Sequence, residues 1–249
     1  MKEITEKSET LSKYRKLKDK KYRDAYNLYF VEGVRMVQEA IKFRQQIDAV
    51  FVQKSKFEKF EGILKTIECE IFVVNDKAFN SISDTVNSQG IIAALVLNKR
   101  MLAEPLGNCL VLDKISDPGN LGTIIRTAAA FGYHDIYLNN CADPYNPKVV
   151  RSSMSGIFNV RLYDEKIEHI VKLLKDVGYL IYCADMNGKD IKNFKTRDRF
   201  ALCVGSEAFG IGDYLRKNCD AIISIPMSDN MESLNAAVCA GIFMCKLKE

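Results

Sequence analysis

From residue 109 onward the apolar residues come in runs: CLVLD (Cys109 to Asp113), HDIYL (His134 to Leu138), YLIYCAD (Tyr179 to Asp185), FALCVG (Phe200 to Gly205) and AIISIP (Ala221 to Pro226). Continuous rather than alternating apolar runs predict parallel strands buried on both faces. Between them the spacing predicts helices over about Leu121 to Phe131, Asn146 to Ser153, Lys166 to Val177, Gly212 to Lys217 and Ser233 to Lys246. The last of these is apolar on nearly every side, so it is either buried or part of a subunit interface.

The first 97 residues carry a different texture. A basic helix is predicted over about Lys13 to Lys20, and the stretch YRDAYNLYFVEG after it is given no element. In VRMVQEAIKF, Val34, Val37, Ala40 and Ile41 share a helical face. AVFVQ (Ala49 to Gln53), IFVV (Ile71 to Val74) and GIIAALVL (Gly90 to Leu97) read as strands. Phe57 to Ile67 and Lys77 to Ser81 read as helices. Alternating elements of this kind build a compact α/β layer. NKRMLAEPLGN, Asn98 to Asn108, breaks the pattern with charges, Pro105 and Gly107, and is read as a linker. The predicted organisation is a small α/β domain over 1–97, a linker over 98–108, and an α/β domain over 109–249 with a mostly parallel sheet and helices on both faces.

Three polar, glycine-containing stretches interrupt the second domain, each at the carboxyl end of a predicted strand. The first is LDKISDPGNLGTIIRTAAAFG, Leu112 to Gly132. Its Asp117-Pro118-Gly119 is a turn signal, since Pro presets φ and Gly frees it. Asn120, Thr123 and Arg126 then follow at three-residue intervals near a helix start, where an anion or ribose-phosphate can be held. A guanidinium in so apolar a helix can equally snorkel or pair with a core carboxylate. The second stretch is VGSEAFGIG, Val204 to Gly212. It is neither the dinucleotide fingerprint nor a P-loop, and Glu207 within it suits a site carboxylate or a helix N-terminal charge. The third is ISIPMSDNMESLNAAVCAGIFMCKL, Ile223 to Leu247, in which Asn235 reads as a helix cap. Ligands of open α/β sheets bind beyond the carboxyl ends of the strands. Three such loops on one edge therefore point to a single composite site.

Composition narrows the class. The chain has 249 residues, 47% hydrophobic and 27% charged, a globular profile. No apolar run reaches the roughly 18 residues that span a bilayer, and the N-terminal MKEITEKSETLSKYRK has no apolar core of the secretory kind; the expected location is the cytoplasm. Eight cysteines without a CxxC pair, and only two histidines, argue for small buried thiols in a reducing compartment rather than a metal site. The net charge is only +4, but seven basic residues (Lys13, Arg15, Lys16, Lys18, Lys20, Lys21, Arg23) crowd between positions 13 and 23 against one acid. Interleaved with Tyr14, Tyr22 and Tyr26, this run suits a nucleic-acid backbone as well as a solvated helix face.

These residues resemble the motifs of the SpoU (TrmH-type) RNA 2′-O-ribose methyltransferases of the SPOUT superfamily. Asn120, Gly122 and Arg126 look like the family's N-x-G-x-x-x-R. Gly205, Glu207 and Gly210 look like its second motif, and Ile225, Pro226, Met227, Ser233, Leu234, Asn235 and Ala237 like its third. PKVVRSSMSGIFNV (Pro147 to Val160) is also similar, except that Ser155-Gly156 stands where the family usually has Gly-Ala. FVEGVRMVQEAI and SDTVNSQGIIAAL resemble the family's N-terminal substrate-binding domain, so the likeness covers nearly the whole chain. It implies a deep trefoil knot, a homodimer, and S-adenosyl-L-methionine held around Val204, Gly205, Ile225, Met227 and Leu234. It implies Arg126, Asn120, Glu207 and Asn235 as the catalytic set, and RNA contacts at Lys13, Arg15, Lys16, Arg23 and Arg151. The implied substrate is RNA, ribosomal in preference to transfer RNA. The alternatives are a non-catalytic ribosome-assembly factor on the same fold, or a methyltransferase with another acceptor.

Overall fold

A computed structural model describes residues 1–196, 199–228, 230 and 233–248; Asp229, Met231 and Glu232 of the third motif lie outside the described residues. The chain packs as two units, Met1–Asn98 with Tyr145–Arg151, and Lys99–Pro144 with Ser152–Glu249.

The first unit holds β1 (Lys2–Ile4), α1 (Glu9–Arg15), a 3₁₀ turn (Lys16–Lys18), α2 (Lys20–Tyr26), β2 (Leu28–Glu32), α3 (Val34–Lys42), β3 (Ile47–Gln53), α4 (Glu61–Leu64), β4 (Glu70–Val74), α5 (Asp76–Ile82) and β5 (Ile91–Val96). Its sheet runs β1-β4-β3-β5-β2. The β1-β4 and β4-β3 pairs are parallel, and the pairs made by β5 are antiparallel. The basic run is two helices with a break. Asp19 caps α2 by accepting from the Lys21 amide at 2.9 Å, because an Asp side chain satisfies an orphan N–H of the first turn. α3 buries Met36, Val37 and Ala40. β2, in the stretch left without an element, pairs residue for residue with β5. One core, including Leu11, Tyr14, Leu17, Phe30, Phe51, Phe72 and Phe79, lies under α1 and α5.

The second unit holds β6 (Cys109–Asp113), α6 (Pro118–Phe131), β7 (Asp135–Asn139), α7 (Pro147–Ser153, whose first five residues count with the first unit), β8 (Arg161–Asp164), α8 (Ile167–Asp176), β9 (Leu180–Asp190), β10 (Phe200–Gly205), α9 (Asp213–Asn218), β11 (Ala221–Ser224) and α10 (Ala236–Leu247). Its six strands run β11-β9-β10-β6-β7-β8 and every pair is parallel. β6, β7 and β10 are buried along nearly their whole length. Cys109, Val111, Cys183 and Cys203 on one face pack with Ile170, Leu174 and Leu215 of α8 and α9. Alternate residues such as Leu110, Leu112, Leu202 and Val204 are buried on the other face. α10 packs against β10 and α6. It buries Ala236, Ala237, Ala240, Phe243, Met244 and Leu247 and leaves Val238 and Ile242 exposed.

Residues 99–108, read as a linker, are tied to the second unit. The Tyr137 hydroxyl donates to the Ala103 carbonyl at 2.8 Å, the Tyr179 hydroxyl to the Pro105 and Gly107 carbonyls, and the Leu106 amide to Asp135. β8 was not predicted. It is four residues long and follows β7 through Arg161, whose guanidinium grips Asp135 at 2.6 Å in a bidentate pair. No helix among the described residues is long and apolar enough to cross a membrane.

Candidate active site

β6 delivers its last residue, Asp113, into a position only 2% exposed. A buried carboxylate needs donors, and it has them: Asn139 Nδ2 at 2.7 Å from the end of β7, and the Gly212 amide at 2.9 Å. The carboxyl ends of β6 and β7 and the amino end of α9 are thereby fastened together. α6 starts three residues earlier than predicted, with Pro118 in its first turn and Asp117 as N-cap accepting from the Asn120 amide at 2.8 Å.

The second motif is a tight hairpin. Ser206 and Gly210 exchange backbone hydrogen bonds of 3.1 and 2.9 Å. A Cβ at position 205 would sit 2.0 Å from the Gly210 carbonyl oxygen, so only glycine lets β10 turn here.

This hairpin delivers Glu207 to the N-termini of α6 and α10. Glu207 Oε1 accepts from Asn120 Nδ2 at 2.8 Å, from Asn235 Nδ2 at 2.6 Å and from the Ala236 amide at 3.1 Å. Asn235 Nδ2 also donates to Asn120 Oδ1 at 2.9 Å, and Asn235 Oδ1 caps α10 by accepting from the Ala237 and Val238 amides. One residue from each of the three motifs thus meets in a closed triangle, and two helix N-termini supply a favourable field for its carboxylate. The asparagines have little polar capacity left over. Their role here is to hold the three loops in register.

Against the triangle lies a cavity of about 430 Å³. Val204, Gly205, Ile225, Met227 and Leu234 all line it, together with Phe243 and Cys239. Its size is that of a small-molecule cofactor pocket, and its apolar walls with a few polar groups suit a flat heterocycle on a polar tail. Ala184 to Asn187, at the bend of β9, complete the wall and were not predicted. Asp185 there is held by Arg216 Nη2 at 2.5 Å. The rule that ligands sit beyond strand ends would have found this segment, since the run YLIYCAD stops at Asp185. Burial pushes the Cys239 thiol up to about 11, so it lines the cavity as a neutral group.

The SpoU rRNA Methylase family matches residues 107–245, and an MRM3-like substrate binding domain matches residues 9–93. The chain belongs to the SpoU rRNA methylase family. A Bacillus subtilis (strain 168) relative, named 23S rRNA (guanosine(2553)-2′-O)-methyltransferase RlmP, is 31% identical over 252 residues and covers 100% of each chain. The AdoMet-bound rRNA methyltransferase of Sinorhizobium meliloti superposes with a TM-score of 0.87 at 25% identity, over 99% of this chain and 97% of its own. AviRb of Streptomyces viridochromogenes, a SpoU methyltransferase solved in complex with AdoMet, shares the fold with a TM-score of 0.86 at 22% identity, over 97% of each chain.

Of the readings open for Arg126, pairing with a core carboxylate is not the one found. Arg126 lies on the exposed side of α6 with no hydrogen-bond or ion-pair partner among the described residues. Six residues of helix set it about 9 Å along the axis from Asn120, outside the triangle. Its backbone is closely fitted: a Cβ at Gly156 would lie 2.9 Å from the Arg126 Cα, so the Ser155-Gly156 pair accommodates α6.

The basic residues of the first unit divide. Lys13 and Lys16 are exposed, the Lys13 ammonium 5.7 Å from the Tyr26 ring centre and the Lys16 ammonium 5.2 Å from that of Tyr22. Arg23 does not fit its predicted RNA role. It is 2% exposed and donates to the Leu17 and Lys18 carbonyls at 2.7 and 2.9 Å. It satisfies the carbonyls left open where the 3₁₀ turn ends. Arg15 is half-buried and bonds Ser81 Oγ at 3.1 Å. Arg151 pairs with Asp84 at 2.7 Å, both exposed enough to exchange that partner for a phosphate. Of the eight cysteines three are fully buried and Cys245 is exposed, so burial is not their common property.

Proposed function

We propose that the protein transfers a methyl group from S-adenosylmethionine to a ribose 2′-hydroxyl of ribosomal RNA, in the cytoplasm, as a homodimer with the family's knotted cofactor site. The observation that carries this reading is the Asn120–Glu207–Asn235 triangle standing against a cofactor-sized cavity lined by Val204, Gly205, Ile225, Met227 and Leu234. When bound there, the cofactor supplies a methyl group activated by its sulfonium.

The chain's own residues do the positioning. Glu207 Oε1 is saturated by three donors, while Oε2 has no partner among the described residues. That oxygen is available to orient the ribose or a guanidinium. Six residues of helix, about 9 Å of backbone rise, separate Arg126 from Asn120 on α6, and we assign the guanidinium that completes the site to a second copy of the chain. The exposed Val238 and Ile242 of α10 supply apolar surface for such an interface.

Arg126 acts as a fork on the target phosphate and steadies the developing alkoxide. It does not act as the base. Neutralising a guanidinium at pH 7 costs about 8 kcal/mol, whereas general base catalysis returns roughly 3–5.5 kcal/mol. The ribose proton leaves to a phosphate oxygen or to water. Lys13, Lys16 and Arg151 add phosphate contacts from the substrate-binding unit.

Incubating the protein and cofactor with unmodified 23S rRNA, 16S rRNA and tRNA transcripts, then mapping reverse-transcriptase stops at low nucleotide concentration, tests the substrate. The expected result is a single new stop on 23S rRNA, as the RlmP relative suggests. A stop confined to tRNA would overturn the ribosomal assignment.

A further inference from the structure

On the far side of the hairpin that walls the cofactor cavity lies a second, polar cavity of about 300 Å³. The two share Ser206, Glu207, Ala208 and Phe209 as a common partition. Three features distinguish the second cavity. Lys114, at the end of β6, and Asn140, at the end of β7, both line it and both have left-handed backbones, with φ of 58° and 51°. Asparagine tolerates that conformation; lysine adopts it against a steric penalty that glycine would avoid, and such residues gather at functional sites. Lys114 is the one cation among the described lining residues, and its ammonium has no partner among them. Phe209, at the hairpin tip, is 86% exposed, an unusual setting for a phenyl ring. The carboxylates that line the cavity are both engaged, Asp117 as the α6 cap and Glu207 in the triangle.

An unpaired cation, a free aromatic face and amide groups around one cavity match the three parts of a nucleotide: phosphate, base and polar edge. A base in RNA must leave its stack before its ribose can be brought to a buried methyl donor, and an aromatic side chain is the usual replacement for the lost stacking. We propose that this cavity seats the target nucleotide, with Phe209 stacking on the extruded base, Lys114 on its phosphate and the Asn140 amide on its polar edge. The inference rests on the methyl-transfer reading above and adds to it the residues that select the nucleotide. The partition it shares with the cofactor cavity places the seated ribose beside the methyl donor without further movement of the loops.

The test combines kinetics with cross-linking. Lys114→Gly and Asn140→Gly remove the side chains while easing the left-handed backbone, so both variants fold. Phe209→Ala removes the ring and Phe209→Tyr restores it. With unmodified 23S rRNA transcript, kcat/KM for RNA is expected to fall about 10-fold in Phe209→Ala and in Lys114→Gly, from the usual worth of a base–aromatic stack or a charged phosphate contact. Cofactor affinity by calorimetry stays within about twofold in Lys114→Gly, a residue that lines the second cavity and not the first, and Phe209→Tyr stays near the parent. Ultraviolet cross-linking of the same transcript, mapped by mass spectrometry, is expected at Phe209. The proposal is overturned if all three removals leave kcat/KM within twofold, if cofactor affinity in Lys114→Gly falls as far as its kcat/KM, or if the cross-link maps away from the residues that line this cavity. A parent protein that cross-links at Phe209 yet transfers no methyl group would support the nucleotide seat and overturn the methyl-transfer reading. Absence of both would overturn both.

Discussion

Replacing Glu207 by alanine strips one acceptor from three donors at once: Asn120 Nδ2, Asn235 Nδ2 and the Ala236 amide, at 2.8, 2.6 and 3.1 Å. A hydrogen bond to a charged group contributes about 1.5–3 kcal/mol when its partner is left buried, and less where water replaces it. Glu207 and Asn235 are exposed, so the three together are set near the lower end, about 2 kcal/mol. For a chain of this size that is a fall in Tm of about 4–8 °C. The double variant with Asn120→Ala should be non-additive, with a coupling energy of about 0.5–3 kcal/mol, because the two residues share the same bonds. Asn120→Asp carries a sharper signature. It sets a second carboxylate 2.8 Å from Glu207 Oε1, where a donor stood. It should destabilise more than Asn120→Ala despite its nearer shape, since like charges at that separation repel. Urea unfolding of the four variants measures all of this. A Glu207→Ala change within 0.5 kcal/mol of the parent, additive with Asn120→Ala, would refute a closed network.

Other expectations follow from individual contacts. Arg126→Lys keeps the charge and loses the planar fork, so methyl transfer should drop nearly as far as in Arg126→Ala; full activity in the lysine variant would count against the fork. Co-expressed Arg126→Ala and Glu207→Ala chains, each inactive alone, should recover part of the activity in mixed dimers, and no recovery would argue against a site completed by the second copy. Lys13→Ala and Lys16→Ala should each lower the salt dependence of RNA binding by roughly one ion in the log–log slope. Arg23→Ala should leave that slope alone and destabilise the first unit by about 1–3 kcal/mol by unpairing buried carbonyls. Burial raises the Cys239 thiol from 9.0 to about 11. Below pH 9 the thiol is protonated in both states and its contribution is whole. Between about 9 and 11 only the unfolded chain ionises, so stability falls as pH rises. The gap between urea midpoints at pH 8 and pH 10.5 should therefore be smaller in Cys239→Ala than in the parent, the remainder coming from other thiols that burial raises, such as Cys69 and Cys219.

The elements legible in the sequence were those whose signal is local. CLVLD and FALCVG were bounded to the residue because strands buried on both faces show as unbroken apolar runs. The three motif loops were legible for the same reason: each follows such a run. The hidden parts depend on partners distant in the chain. Residues 99–108 look like a linker until Tyr137 and Tyr179 supply donors for their carbonyls. Arg23 looks like one more surface cation until the 3₁₀ turn presents the carbonyls it binds. Arg126 sits among apolar residues in sequence but on the open side of α6 in space, because its apolar neighbours Leu121, Ile124, Ile125 and Ala128 turn the other way. The meeting of Asn120, Glu207 and Asn235, separated by up to 115 positions, follows from three parallel strands ending on one edge.

The most direct measurement is methyl transfer from labelled S-adenosylmethionine to unmodified ribosomal RNA, by the parent and by Arg126→Ala, with digestion to nucleosides and identification of the labelled product. The expected result is a 2′-O-methylated nucleoside from the parent and its disappearance in the variant. A base-methylated product, or transfer undiminished in Arg126→Ala, would contradict it.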